Sequence, residues 1–127
     1  MLRKCDKLAF QGDIGLLVVG ELPYGCSKVT HPLSGNDANS YGYHKEKGLV
    51  LAQGESRNHY HAFRDTDNVE MYELNASNDN KRIFIVVNNT AILRHEEHEP
   101  IEFKPNVYEL FFQKEYTFTE EYRRVAD

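Results

Sequence analysis

Short β-forming segments separated by turn residues recur along most of this chain. Residues 69–74 alternate apolar and polar side chains, and residues 82–87 are rich in β-branched and aromatic side chains. An apolar run at 14–19 follows the Gly12-Asp13 turn and is typical of a buried strand. Further strands are predicted at 7–11, 48–55, 58–63, 90–94, 101–104 and 107–116. Many short strands at regular spacing predict an all-β fold, either a compact cupin-like β-barrel or a β-sandwich.

Two regions depart from this pattern. Residues 26–47 are rich in Ser, Asn, Asp, Gly and Pro, which predicts a long loop. Near the C-terminus, Thr119 is a residue type that caps helices, acidic residues follow it, and Arg123 and Arg124 come towards the end. This order of charges predicts a short C-terminal helix over 118–125.

The length and charge of the chain limit its class. Its 127 residues suit one domain, 1–127, and 40% apolar against 28% charged residues indicates a globular protein. A net charge of −5 without a basic cluster argues against nucleic acid as a partner. The first residues lack the apolar region of a signal peptide, and the run at 14–19 is too short to span a bilayer. We therefore expect a cytoplasmic protein that contacts no membrane.

The cysteine content fits the same compartment. Cys5 and Cys26 are too few for a disulfide framework, and a chain of this length does not need one. Two reduced thiols are the favoured interpretation, and a single bridge between them stays open.

Four of the six histidines fall into two close pairs. His59 and His61 are two residues apart, so on a strand they project from one face. His95 and His98 are three residues apart, a spacing that brings side chains together on a turn. If the two segments are neighbours in a sheet, the four imidazoles converge and bind a divalent metal ion. Zn, Fe, Mn and Ni all suit such a site, and the sequence does not choose among them.

Other arrangements of this site stay open. Two histidines and one carboxylate would leave metal positions free for catalysis, with Glu97, Asp65 or Glu70 as the acid. A closed four-histidine site would be structural. Glu97 is also the candidate general acid or base. Taken separately, the two motifs are equally compatible with exposed strand histidines and a solvated acidic turn.

The remaining candidates are weaker. His31 and His44 have no partner at ligand spacing and are interpreted as solvated loop histidines. Tyr60, Tyr72 and Tyr108 would line a pocket, although strand aromatics are more often core residues. The chain has no nucleophile-elbow, P-loop or dinucleotide-binding motif.

The first histidine pair belongs to a pattern that resembles the cupin family. The pattern Gly-x4-His-x-His-x3-Asp is similar to the first cupin motif and is formed by Gly54, His59, His61 and Asp65. The segment 105–108 is similar to the turn of the second motif, whose usual histidine is missing. The resemblance implies a cupin-like β-barrel more than a cupin metal site.

A second resemblance covers most of residues 48–127. It is to a group of short bacterial and phage proteins of unassigned function, and it rests on both histidine pairs with their flanking residues. The residues that carry it are Gly54, Glu55, His59, His61, Leu93, His95, Glu96, Glu97, His98, Pro100, Ile101, Glu102, Tyr108, Gln113, Glu115 and Tyr116. This resemblance implies that the two pairs form one unit, and it implies no activity.

Together these features predict a small metal- or ligand-binding β protein with a histidine-cluster site. A small-molecule ligand is the expected partner, and whether catalysis accompanies binding is left open. The alternative is a non-enzymatic interaction or structural module, a phage-related homo-oligomer that uses exposed β edges and surface tyrosines for subunit contacts.

Overall fold

The chain folds into β-strands throughout the residues that the structure, a computed structural model, describes: 2–35, 37, 40–53, 59–75 and 81–113. Within them lie twelve strands and a single 3₁₀ turn, Thr66–Asn68. In chain order the strands are β1 (Arg3–Lys4), β2 (Leu8–Gln11), β3 (Ile14–Val18), β4 (Ser27–Lys28), β5 (Gly42–His44), β6 (Gly48–Ala52), β7 (His61–Phe63), β8 (Val69–Asn75), β9 (Lys81–Val87), β10 (Ala91–Arg94), β11 (Ile101–Phe103) and β12 (Asn106–Phe112).

The strands form two six-stranded sheets. Sheet I has the order β1-β11-β10-β7-β6-β5, and sheet II has the order β2-β3-β12-β9-β8-β4. Neighbouring strands are antiparallel except for β1 and β11, which are parallel. Within the described ranges no strand of sheet I is paired with a strand of sheet II. The all-β prediction is therefore confirmed, and the closed-barrel alternative is wrong because backbone pairing stops at the edges of each sheet.

Aromatic side chains link the two sheets through the core. Phe63 and Phe103 of sheet I meet edge to face with ring centroids 5.8 Å apart. Phe103 meets Tyr108 of sheet II in the same geometry at 5.2 Å. All three side chains are fully buried, and each contributes roughly 1.5–3 kcal/mol of apolar burial or more. The Tyr108 hydroxyl donates a hydrogen bond to the Lys104 carbonyl at 2.6 Å, which makes Tyr108 a core residue and not a pocket residue.

The predicted long loop contains two short strands. Both β4 and β5 lie inside 26–47, and between them Val29 is buried and donates its N–H to the Met71 carbonyl at 2.8 Å. This region is therefore attached to both sheets at its ends, β4 to β8 and β5 to β6. The helix predicted at 118–125 lies outside the described residues. No helix in the described part of the chain is long and apolar enough to cross a membrane.

The pairing of β7 with β10 decides where the histidines lie. These strands are antiparallel neighbours in which Phe63 is opposite Leu93 and Ala62 is opposite Arg94. Because β7 begins at His61 and β10 ends at Arg94, both histidine pairs lie at the same end of sheet I. The turn between β2 and β3 brings sheet II to that end.

Candidate functional site

The four predicted histidines form one cluster. The His95 ring is central, with its centroid 4.2 Å from that of His61, 4.7 Å from that of His98 and 5.6 Å from that of His59. The rings of His61 and His98 are nearly parallel, at 13° and 6.2 Å. The structure thus brings together the two pairs that the sequence placed on separate segments. The turn predicted at Glu96-Glu97 separates His95 from His98 and folds both rings back to one place.

The ring spacing is that of metal-binding imidazoles, but the donor atoms are not yet aligned. Two imidazoles on one tetrahedral ion have centroids about 5 Å apart, given metal–nitrogen bonds of about 2.0–2.1 Å. The distances above bracket that value. Among the described residues, no group of three or more His, Cys, Asp or Glu side chains is arranged to hold a metal ion. Binding an ion here would therefore require rings to rotate.

Two further residues, Gln11 and Asp13, contact the cluster from sheet II. His61 is 1% exposed, and both of its ring nitrogens have oxygen neighbours. Its Nδ1 lies 2.9 Å from Oε1 of Gln11, and its Nε2 lies 3.2 Å from Oδ1 of Asp13. The sequence analysis missed both residues. A signal existed for Gln11, since it shares the buried face of β2 with Ala9, where an apolar residue is expected.

The hydrogen bonds of Gln11 fix the tautomer of His61. The Gln11 amide nitrogen donates to the carbonyls of Leu93 at 3.0 Å and Glu99 at 2.9 Å. Both amide protons are thereby used, so the atom that faces His61 is the acceptor Oε1. Nδ1 of His61 must then carry a proton to donate to it. In the neutral ring this leaves Nε2 without a proton.

The Nε2 atom of His61 faces a carboxylate oxygen as a result. Burial lowers the pKa of His61 to about 4, the charge of His95 adds to this effect, and Asp13 opposes it. At neutral pH the ring is therefore uncharged, and two acceptor atoms lie 3.2 Å apart with no proton between them. Such a contact is unfavourable unless a cation or a proton lies between the two atoms.

His59 and Glu97 form a second close contact. Nδ1 of His59 lies 2.6 Å from Oε1 of Glu97, within ion-pair distance. This Nδ1 atom is buried and makes no other hydrogen bond within the described residues, so Glu97 is the group that can accept its proton. Glu97, the predicted acid, is thus at the cluster and beside His59.

The tautomer of His95 is opposite to that of His61. Its Nδ1 accepts a hydrogen bond from the Glu97 backbone N–H at 3.0 Å, so the proton of the neutral ring is on Nε2. Burial lowers the pKa of His95, and the charge of His98 lowers it further. His95 therefore offers a hydrogen-bond donor at neutral pH, and it would have to move its proton to bind a metal through Nε2.

Gly12 allows His98 to approach the turn between β2 and β3. Gly12 has a φ of +60°, in the left-handed region that favours glycine. A Cβ at this position would lie 2.7 Å from Nε2 of His98 and 3.3 Å from Cε1 of His61. The missing side chain is therefore space that the two rings occupy. His98 rests directly against the residue that precedes Asp13.

The other predicted candidates lie elsewhere. Glu70 is on β8 of sheet II, where it pairs with Lys28 at 3.1 Å and accepts from the Tyr72 hydroxyl at 3.0 Å. Asp65 is exposed beside the 3₁₀ turn and contributes no described contact to the cluster. Neither carboxylate therefore lies at the cluster, whereas Asp13 contacts His61 and Glu97 contacts His59.

The two loop histidines also stay apart from the cluster. His31 is exposed, with Nδ1 3.1 Å from the Pro32 carbonyl oxygen. His44 is half-buried at the end of β5, where Nδ1 accepts from the backbone N–H groups of Glu46 and Lys47. Both imidazoles have local structural contacts.

Comparison with known proteins places the chain in a family without assigning an activity. Residues 10–113 match the family described as Domain of unknown function (DUF8820). The matched span contains every residue of the cluster. Searches of the curated proteins and of the solved structures found no match. Because the family match covers most of the sequence, the chain belongs to the family described as Domain of unknown function (DUF8820).

Proposed function

We propose that this protein binds a divalent transition-metal ion through His61, Asp13 and His98. The observation that carries the proposal is the 3.2 Å separation of the His61 Nε2 and Asp13 Oδ1 atoms, which are both acceptors. A shared cation turns this unfavourable contact into two ligand bonds. Since no three of these groups are aligned on one point, the exposed His98 ring would rotate to reach an ion between His61 and Asp13. His59 and His95, the other members of the predicted ligand set, would likewise join it by rotation of their rings.

The separation of the two acceptors has the right size. Two ligands that are each about 2.1 Å from one ion lie roughly 3.0–3.4 Å apart at octahedral or tetrahedral angles. Gln11 supports the arrangement because it holds the Nδ1 proton of His61 and leaves Nε2 as the ligand atom. A metal-bound histidine almost always has such a partner on its second nitrogen, and that partner fixes the ring orientation.

Two imidazoles and one carboxylate leave coordination positions open. Such a set suits Zn, Fe, Mn or Ni, and the open positions accept water or a small-molecule ligand. Glu97 and the Nε2–H of His95 are the groups that would move or donate a proton next to a bound ligand.

Metal content tests the proposal. Untagged protein purified without chelator is analysed by elemental mass spectrometry, and we expect close to one metal ion per chain. The variants Asp13→Asn, His61→Ala and His98→Ala should each lose most of it. His31→Ala is the matched control, because His31 is exposed and its described contacts are with Pro32 and Tyr41 outside the cluster, and it should keep the ion. Protein that is metal-free and whose melting temperature does not change on adding Zn²⁺, Mn²⁺, Fe²⁺ or Ni²⁺ would overturn the proposal.

The oligomeric interaction module remains a separate prediction. If it is correct, light scattering should show an assembly larger than one chain, and the mass of this assembly should not change on adding chelator. A monomer under both conditions would contradict it.

A further inference from the structure

A pocket of about 200 Å³ lies on the outer face of sheet I, next to the histidine cluster. Phe63 and Leu93 belong to the core, so the alternating residues Ala62 and Arg94 face the opposite side of the sheet. Ala62 is opposite Arg94 in the pairing of β7 with β10, and its small side chain leaves room above the sheet. His95 lines this pocket and is also a member of the histidine cluster. The pocket and the candidate metal site therefore share one side chain.

The pocket carries an excess of positive charge in an acidic protein. Among the described residues that line it, three are cations, Lys47, Arg64 and Arg94, and one, Glu96, is a carboxylate. The whole chain has a net charge of −5, so this local sign is the reverse of the average. A concave surface with excess positive charge attracts and concentrates anions.

The Glu96 carboxylate in the pocket is already bound to other groups of the chain. Glu96 accepts the backbone N–H of Tyr60 at 2.7 Å and pairs with Lys47 Nζ at 3.1 Å. Although burial would raise the pKa of Glu96, these two contacts lower it below its usual range. Glu96 therefore stays ionised and fixes Lys47 and the start of the β7 segment. It is not a partner for either arginine.

The two arginines can act on one anion. Arg94 ends β10 opposite Ala62, Arg64 comes one residue after β7 ends, and both side chains line the pocket. In the described part of the chain, neither guanidinium has a side-chain hydrogen bond or ion pair. Guanidinium groups bind carboxylates and phosphates through two parallel hydrogen bonds. Because both arginines line one pocket of about 200 Å³, both guanidinium groups can reach a single oxyanion bound there.

We propose that this pocket binds the carboxylate or phosphate group of a small molecule through Arg64 and Arg94. The rest of that molecule then lies towards His95 and the histidine cluster. This second part rests on the proposed metal function, whereas anion binding by the arginines does not need a metal. The two anion types share the same recognition chemistry, and the experiment separates them.

Calorimetric titration of chelator-treated, full-length protein at low ionic strength tests the anion site. Inorganic phosphate is the probe in one arm and succinate in the other, and we expect saturable binding of one of them at one site per chain. Arg64→Gln and Arg94→Gln should each weaken that binding about tenfold. Lys7→Gln removes one charge from an exposed position outside the pocket and should leave the affinity within about twofold. No saturable binding of either probe, or equal binding by Arg64→Gln/Arg94→Gln protein, would overturn the inference.

A second titration separates this inference from the metal proposal. With stoichiometric Zn²⁺ added, the anion affinity should change if the ion and the pocket act on one ligand. If phosphate or succinate binding depends on the arginines and the protein takes up no metal, the anion site stands and the proposed function fails. If the protein binds metal but neither phosphate nor succinate, the proposed function stands and the anion site fails.

Discussion

The Nε2 atom of His61, on sheet I, lies 3.2 Å from Oδ1 of Asp13, which is 48 positions away in the turn that joins β2 and β3 of sheet II. The proton that would relieve this contact is held on the other side of the ring by Gln11. Two acceptor atoms therefore face each other where the sheets meet. The proposed metal site depends on whether a cation or a proton lies between these two atoms.

The variant Asp13→Asn distinguishes two interpretations of the contact between His61 and Asp13, a metal site and an ion pair. An amide N–H can donate to Nε2 of His61, so we expect chelator-treated Asp13→Asn protein to be as stable as the parent or more stable by about 1 kcal/mol. Metal affinity should fall about tenfold or more, because a carboxylate ligand is lost. Urea unfolding and metal titration measure the two effects. Asp67→Asn, at an exposed position in the 3₁₀ turn, is the control. A clear loss of stability in the chelator-treated variant would instead indicate that His61 is protonated and paired with Asp13.

Gln11 should be more important for stability than its size suggests. Gln11→Leu leaves the Leu93 and Glu99 carbonyls and the Nδ1 of His61 without their partner. We expect a loss of about 2–4 kcal/mol in the free energy of unfolding, since each buried group left unsatisfied costs roughly 1–3 kcal/mol. Within the described residues, Gln53→Leu removes one side-chain hydrogen bond, to the Gly35 carbonyl at 2.9 Å, and it should cost less. Equal losses for the two variants in urea unfolding would contradict this assignment.

Gly12→Ala should displace His98 without unfolding the protein. The new Cβ would lie 2.7 Å from Nε2 of His98, an exposed side chain that can rotate away. The left-handed φ adds about 1–2 kcal/mol of backbone strain. Gly20→Ala is the matched control, because Gly20 also has a positive φ and has nothing within 4 Å of its added Cβ. Both variants should lose similar stability, and only Gly12→Ala should lose metal affinity. Equal metal binding by the two would remove His98 from the ligand set.

The metal-free protein should lose stability in mild acid. Burial lowers the folded-state pKa of His61 from 6.5 to about 4, so the unfolded chain takes up this proton first as the pH falls. The stabilisation is complete above the unfolded pKa and is lost progressively towards the folded pKa. We expect a decrease of up to about 1.4 kcal/mol per pH unit in that window. Urea unfolding with chelator measures it, and His61→Gln should show a shallower decrease. A flat profile for the parent protein would show that His61 is not buried as an uncharged ring.

The long strands could be predicted from the sequence because their side chains alternate between apolar and polar or are mostly β-branched and aromatic. β8 and β9 are seven residues each, and alternation or β-branched composition identifies both within one residue. β1 and β4 contain two residues each, too few to show any alternation. Their pairing is decided by the strand beside them, which lies far away in the sequence.

The histidine cluster was predicted only in its sheet I half. His59, His61, His95 and His98 are recognisable because ligand-type residues are close in sequence and β7 pairs directly with β10. Asp13 follows a glycine in a hairpin turn, where aspartate is common for conformational reasons alone. Its proximity to His61 comes from the packing of one sheet against the other, which leaves no local pattern.

The two cysteines are not bonded to each other in the structure, and they should differ in reactivity because they differ in burial. Cys5 is buried, and burial raises the pKa of its thiol to about 11, with the charge of Asp6 adding to the effect. Cys26 is partly exposed. An aromatic disulfide reagent at mildly alkaline pH should label one thiol quickly and the second only in denaturant, since the thiolate is the reactive form. Cys26→Ser should abolish the fast phase. Absence of any free thiol in unreduced protein would indicate a disulfide.

The strands at the borders of the two sheets are all short. β1 and β5 border sheet I, β2 and β4 border sheet II, and each has four residues or fewer. Borders this short expose few unpaired backbone groups within the described ranges, so they offer little template for another chain to add a strand. Despite its high β content, the protein should therefore resist fibril growth.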